Sequence, residues 1–238
     1  APHDQWLVFN KYVDYYFVSH DGMKKELHEK GIPNEKIFAT GIPLSNKFLL
    51  KYDKPTILKS FCLSPDKKTV LFFGGGEFGL GKTQTFKTFK SFVECPENIQ
   101  IVAISGKNQK MKEAFENLVE SLNKTDSVKI LEYTNQVPEL MSISDLVVTK
   151  PGGLTTTESL ASGLPIVVIN PIPGQEEENA SYLEKNKVAI WLKKDDNVEV
   201  ILKDLFSNPE KMQEMKIRAR LLAKKNSTKD ICRILLGS

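Results

Sequence analysis

From Thr69 onward, short apolar runs alternate with longer segments in which apolar residues recur every three or four positions. The runs Thr69–Phe73, Ile99–Ser105, Val128–Glu132, Leu146–Thr149, Ile166–Asn170 and Val188–Leu192 are too short for helices. Their near-continuous apolar character fits strands covered on both faces. Between and after them, Lys82–Glu94, Gln109–Leu122, Gln136–Ser142, Thr155–Ala161, Glu176–Asn186 and Val198–Phe206 read as helices. Strands alternating with helices predict an α/β chain with a Rossmann-like, doubly wound parallel sheet. Two further helices are expected at Pro209–Lys225 and Thr228–Leu236.

The first 68 residues follow a weaker pattern. An apolar strand is expected at Val13–Ser19, then a helix in DGMKKELHEKG that ends at Gly31, a suitable residue just past a helix C-terminus. A short strand and turn follow in KIFATGIP, Lys36–Pro43. This single β-α-β unit is too small to bury its own sheet, so residues 1–43 read as the tail of a larger domain. Residues 44–68 are lysine-rich, contain Pro55 and Pro65, and read as a connector with one short helix near Thr56–Phe61. Residues 69–238 form the principal domain.

One stretch, Asp145 to Asn179, concentrates the candidate chemistry: DLVVTKPGGLTTTESLASGLPIVVINPIPGQEEEN. A strand runs into Pro151-Gly152-Gly153, and a helix is expected to open at Leu154 or Thr155. Glycine permits positive φ and close approach of a ligand to the backbone. The helix start behind it offers free N–H groups and the positive end of a dipole, which suits phosphate. Glu158, one turn into that helix, is placed to accept two hydrogen bonds from a diol. After the next strand, Gln175, Glu176 and Asn179 form a polar fork suited to sugar hydroxyls. Both loops follow strands of one sheet, at the edge where such sheets bind ligands.

The glycine-rich loop TVLFFGGGEFGLGKT, Thr69–Thr83, matches two nucleotide-binding patterns. Gly76 to Thr83 fits the P-loop, and Gly74, Gly76 and Gly79 fit the dinucleotide fingerprint. A P-loop enzyme also needs an Asp ending a neighbouring strand, to hold magnesium. The other predicted strands end in Ser105, Thr149, Asn170 and Leu192, and only Glu132 comes near that requirement. A dinucleotide site needs an acidic residue closing the second strand, where this chain has Ser105-Gly106. What both patterns share, backbone N–H groups poised for a phosphate, survives either objection.

Composition narrows the class further. A net charge of +3 over 238 residues does not call for nucleic acid as a partner. Cys62, Cys95 and Cys232 lie far apart, which suggests a reduced, cytosolic protein without a metal site. The C-terminal bases Lys211, Lys216, Arg218, Arg220, Lys224, Lys225, Lys229 and Arg233 read as a solvated face or as an attraction to anionic lipid.

The segments GGGEFGLG, IVAISGKNQ, EYTNQVPELMSISDLVVTKPGGLTTTESLASGLPIV and NPIPGQEEENASYL occur in an order that resembles the monogalactosyldiacylglycerol synthases. The same order marks their bacterial relatives, the processive diacylglycerol glucosyltransferases of glycosyltransferase family 28. PHDQW, VDYYFVS and GIP near the N-terminus extend the resemblance over nearly the whole chain.

The resemblance implies a two-domain GT-B fold, with a C-terminal domain that binds a UDP-sugar and an N-terminal domain that meets the lipid acceptor at the membrane. It implies that Gly75, Gly76, Glu77, Gly152, Gly153, Leu154 and Thr155 surround the UDP diphosphate. Gly106, Lys107, Tyr133, Gln136 and Val137 would surround uracil, and Glu158 would bind the ribose. Gly174, Gln175, Glu176 and Asn179 would bind the donor sugar, while His3 and Trp6 match residues on the acceptor side. His3 is the candidate catalytic residue within the chain; the main base belongs to the N-terminal part of the fold that this sequence does not contain.

The implied reaction is inverting transfer of galactose or glucose from a UDP-sugar to diacylglycerol or a glycolipid. The sequence holds no DxD motif, so neither metal nor cofactor is expected beyond the UDP-galactose or UDP-glucose donor. The implied location is cytoplasmic, peripheral at the inner face of the cell membrane, on an anionic surface. Gly81-Lys82-Thr83 is not typical of the family. It keeps a P-loop NTPase as the alternative, beside a nucleotide-sugar-binding module with no activity of its own.

Overall fold

The computed structural model describes residues 12–74 and 82–237. The chain begins with a small parallel β-α-β unit: β1 (Tyr16–Phe17), α1 (Asp21–Glu29) and β2 (Ile37–Phe38). Val18, Leu27 and Ile37 form its core. Gly31, at φ 95°, takes the left-handed turn that ends α1. The predicted first strand was longer, Val13–Ser19. Among the described residues β1 pairs only with the two residues of β2, so the ladder ends with its partner.

The connector carries a 3₁₀ turn at Asn46–Leu49 and then α2 (Lys54–Ser60). Asp53 caps α2 by accepting the Thr56 N–H at 3.1 Å. The principal domain then alternates: β3 (Lys68–Phe73), α3 (Lys82–Val93), β4 (Ile99–Ile104), α4 (Gln109–Ser121), β5 (Val128–Leu131), α5 (Val137–Ile143) and β6 (Leu146–Thr149). It continues with α6 (Gly153–Ala161), β7 (Ile166–Val168), α7 (Gln175–Lys185), β8 (Ala189–Trp191), α8 (Val198–Ser207), α9 (Pro209–Leu222) and α10 (Ser227–Leu236).

Among the described residues these strands form one all-parallel sheet in the order β5-β4-β3-β6-β7-β8. This is the doubly wound arrangement the sequence predicts. Alternate residues of each strand feed opposite cores. Val70, Phe72, Ile101, Ala103, Leu146, Val148 and Val167 pack on one face under α3, α4 and α8. Leu71, Val102, Ile104, Val147, Ile166 and Val168 pack on the other, against α5, α6 and α7. Phe72, Phe89, Phe92 and Phe115 are fully buried, and Phe89 and Phe115 stack at 3.8 Å. The order reverses between β3 and β6, so the crevice at the C-terminal ends of these two strands is the topological switch point.

Several boundaries differ from the sequence expectation for local reasons. β7 stops at Val168 rather than Asn170, because Asn170 turns to φ 44° and donates its amide to Thr85 Oγ1 at 2.8 Å. α9 stops at Leu222 rather than Lys225, because Ala223 is extended. The two-stranded unit docks on the principal domain through the α9–α10 junction. Ser227 Oγ donates to the Gly41 carbonyl at 2.8 Å, and a Cβ on Gly41 would lie 2.5 Å from Lys224 Cβ. Glycine is needed at residue 41 for that approach and for its φ of 86°.

Candidate functional site

The site is built where β6 ends. Thr149 leads through Lys150 and Pro151 to Gly152, which is the N-cap of α6, and Gly153 is the first helical residue. The helix thus opens one or two residues earlier than Leu154 or Thr155. Gly152 has φ −65° and ψ 146°, and Gly153 is not among the positive-φ glycines, so neither is there for a left-handed turn. A Cβ on Gly153 would lie 3.0 Å from Ile42 Cδ1, whereas one on Gly152 would meet nothing within 4 Å. The missing side chain at residue 152 therefore opens space that the protein leaves unfilled.

No side chain caps α6. Its first-turn N–H groups are among those an α-helix cannot satisfy internally. α5, which starts after Gln136, and α7, which starts after Gly174, also lack side-chain caps, as does α10. By contrast, His20, Asp53, Asn108, Asn197 and Asn208 cap α1, α2, α4, α8 and α9. Of these uncapped helices α5, α6 and α7 begin at the C-terminal edge of the sheet, and their starts carry candidate site residues.

Glu158 lies on α6 one turn beyond its opening. It is half-buried, and burial pushes its carboxyl up from the ordinary carboxylate range. Among the described residues no hydrogen bond or ion pair reaches its carboxylate. Thr157 Oγ1 is spent on the Gly153 carbonyl at 2.8 Å, while Thr156 Oγ1 is buried without a partner among the described residues.

The second loop is shaped by Gly174, whose φ of 93° and ψ of −120° require glycine. Glu176 Oε2 accepts the Ile172 N–H at 2.8 Å and closes the Pro-rich turn. Asn179 Nδ2 donates to the Pro151 carbonyl at 2.8 Å and ties this loop to the turn that starts α6. Gly153, Thr156, Gln175 and Asn179 line a cavity of about 190 Å³, closed on its other side by Ser19, His20 and Ile42 of the small unit.

The uracil candidates sit farther along the same sheet edge and do not line that cavity. Gly106 follows β4 with φ 63°. Lys107 is exposed, and Tyr133 is 73% exposed beyond β5. The Gln136 N–H donates to Thr134 Oγ1 at 3.1 Å, and Val137 opens α5. Leu154 is 64% exposed, and Thr155 is half-buried on the first turn of α6. Gly75, Gly76, Glu77, His3 and Trp6 lie outside the described residues, as does most of the P-loop match. Gly74 has a packing reason to be glycine: a Cβ there would come 2.5 Å from the Phe115 ring.

Sequence reasoning missed His20 and Tyr182, whose rings stack at 3.8 Å and 10°. They are far apart in the chain and neither belongs to a motif. Among the described residues no cluster of metal-ligating side chains occurs, and no helix is long and apolar enough to cross a membrane. The basic C-terminal run is largely compensated: Lys211, Lys216, Arg218, Lys224 and Arg233 face Asp204, Asp145, Glu214, Asp21 and Asp230.

Comparison with known proteins agrees with this architecture. Residues 69–232 match the glycosyltransferase family 28 C-terminal domain, and residues 1–44 match the monogalactosyldiacylglycerol (MGDG) synthase model. The processive diacylglycerol beta-glucosyltransferase of Bacillus mycoides is 35% identical over 214 residues, 90% of this chain and 53% of that protein. The enzyme of the same name from Bacillus licheniformis is 32% identical over 229 residues, 96% of this chain and 58% of that protein. The chain thus spans just over half the length of these relatives.

Among solved structures, Staphylococcus aureus MnaA with UDP has TM-score 0.73 at 16% identity, covering 93% of this chain and 60% of that one. Anabaena HepE with UDP-glucose has TM-score 0.64 at 14% identity, covering 99% of this chain and 68% of that one. At these identities the structures speak for the fold alone, and that fold is of the GT-B type. With residues 69–232 matched, from the second residue of β3 into α10, the chain belongs to glycosyltransferase family 28.

Proposed function

We propose that this chain is the donor-binding half of an inverting, UDP-sugar-dependent hexosyltransferase that glycosylates diacylglycerol. The relatives named as diacylglycerol beta-glucosyltransferases support the reaction class. The observation that carries the donor site is the uncapped, glycine-started α6 at the switch point, with the half-buried Glu158, unpartnered among the described residues, one turn along. In this reading Gly152, Gly153, Leu154 and Thr155 receive the diphosphate, together with Gly75, Gly76 and Glu77.

Glu158 takes the ribose hydroxyls, and Gly106, Lys107, Tyr133, Gln136 and Val137 surround uracil. Gln175, Glu176 and Asn179 meet the hexose, beside Gly174. Asn179 has committed one N–H to Pro151 and Glu176 one oxygen to Ile172, so Asn179 Oδ1 and Glu176 Oε1 are offered to sugar hydroxyls. Charge that develops on the departing UDP is stabilised by the N-terminus of α6, a fixed dipole that needs no reorganisation during the reaction.

The acceptor hydroxyl loses its proton to a base as it attacks the anomeric carbon. His3 and Trp6 belong to the acceptor side in this reading. Residues 1–43 serve as the tail of the acceptor domain, residues 44–68 as connector and residues 69–238 as the donor domain. The lipid acceptor places the whole enzyme at the cytoplasmic face of a membrane; the ion-paired basic run of α9 and α10 adds little to that attachment.

The test is a calorimetric titration of this chain with UDP, UDP-glucose, UDP-galactose and ATP with magnesium. The proposal expects UDP and a UDP-hexose to bind without metal. Binding of ATP with magnesium, in the absence of any response to UDP, rejects it in favour of a P-loop enzyme.

A further inference from the structure

His20 performs two tasks with one ring. Its Nδ1 accepts the Met23 N–H at 3.2 Å and caps α1. A nitrogen that accepts carries no proton, so the neutral ring holds its proton on Nε2. The same ring lies flat on Tyr182 of α7, with centroids 3.8 Å apart and planes 10° from parallel. Tyr182 is one helical turn beyond Asn179, so the two share a face of α7. Asn179 is bonded to Pro151 at the turn that opens α6. The Asn179–Pro151 bond and the His20–Tyr182 stack therefore tie one face of α7 to the α6 opening and to the cap of the small β-α-β unit.

These two contacts bound the cavity. His20 and Tyr182 both line it, together with Gly153, Thr156, Gln175 and Asn179. One wall belongs to the small unit and the other to the principal domain, so the width of the cavity depends on how the unit sits against α7. The candidates for uracil lie wholly in the principal domain and do not depend on that seating.

We infer that His20 is a positioning residue for donor binding: by stacking on Tyr182 it sets the spacing between the small unit and α7, and so the affinity for the hexose rather than for the nucleotide. This inference rests on the donor-site reading above.

The test compares UDP with UDP-glucose and UDP-galactose on the 238-residue chain by calorimetry. His20→Asn keeps a strong N-cap and removes the ring. Tyr182→Leu removes the stack from the other side, and Tyr182→Phe preserves it. For whichever UDP-hexose the wild type binds, His20→Asn and Tyr182→Leu weaken it about fivefold, the scale of one aromatic pair, and leave UDP within about twofold. The double variant is no weaker than either single one, because both remove the same contact. Tyr182→Phe retains wild-type affinity.

Unchanged UDP-hexose binding in His20→Asn overturns the inference while the donor reading stands. Equal weakening of UDP and UDP-hexose also overturns it, because that is the signature of general loss of stability. Failure of the wild type to bind UDP or a UDP-hexose rejects the donor reading and this inference together.

Discussion

The Asn179 amide donates to the Pro151 carbonyl at 2.8 Å, across two loops separated by β7. This bond joins the turn that opens α6 to the first turns of α7, two of the uncapped helix starts at this sheet edge. Replacement of Asn179 by Ala removes the tie and leaves a half-buried carbonyl unpaired. The expected result is UDP-hexose affinity about tenfold lower, equivalent to ~1.4 kcal/mol, read by calorimetry. Wild-type affinity in this variant would show that the loops hold their spacing without the bond.

Gly152 and Gly153 separate folding from binding. Gly152 has an ordinary backbone and open space beside it, so Gly152→Ala leaves a folded protein whose Tm falls by a few degrees, about the cost of a poorer N-cap. The added methyl points into the space assigned to the diphosphate, and UDP affinity falls by about tenfold or more. Gly153→Ala forces Ile42 to move from 3.0 Å and perturbs the seat of the small unit as well. A Gly152→Ala protein that binds UDP normally would remove this turn from the site.

Glu158 opposes stability at neutral pH. Burial raises its carboxyl pKa above the ordinary 4.5, so the folded state favours the protonated form. The cost of the buried charge is complete above the folded pKa and vanishes below the unfolded one. Glu158→Gln therefore raises Tm at neutral pH and has little effect near pH 4, while UDP binding weakens. Thermal melts at both pH values check the sign, and a variant that melts lower at neutral pH contradicts it.

The opposite titration acts at His20. Burial lowers its pKa below 6.5, against the raising effects of Asp21 and Glu26 and with the help of Lys224. The neighbouring Tyr182, Glu177 and Glu178 complete the ionisable surroundings on α7. The folded state favours the neutral ring, so its contribution is complete above 6.5 and declines as pH falls toward the lower folded value. Protonation also removes the acceptor for the Met23 N–H. Hydrogen exchange across residues 16–38 is expected to accelerate, beyond its intrinsic pH dependence, as pH is lowered through this window. His20→Asn is expected to abolish that component.

Much of this arrangement was legible in the sequence. Strand runs such as Leu146–Thr149 were bounded correctly because apolar residues on both faces leave them no other place in a parallel sheet. The turn at Pro151, the helix behind it and the PGQE loop were legible because glycine, proline and cap chemistry act over a few residues. The contacts that shape the cavity were not. Asn179 with Pro151, Gly153 with Ile42, and His20 with Tyr182 join residues whose meeting depends on how whole elements pack. The glycine of residue 74 shows the converse: it completes a nucleotide-binding pattern, yet the Phe115 ring alone accounts for it.

The most direct measurement is a crystal structure of this chain with UDP. The diphosphate is expected over the first turn of α6, within hydrogen-bond reach of the Gly153 and Leu154 N–H groups, with the ribose hydroxyls on Glu158. A diphosphate seated instead at the start of α3, against Lys82, would contradict the donor-site reading.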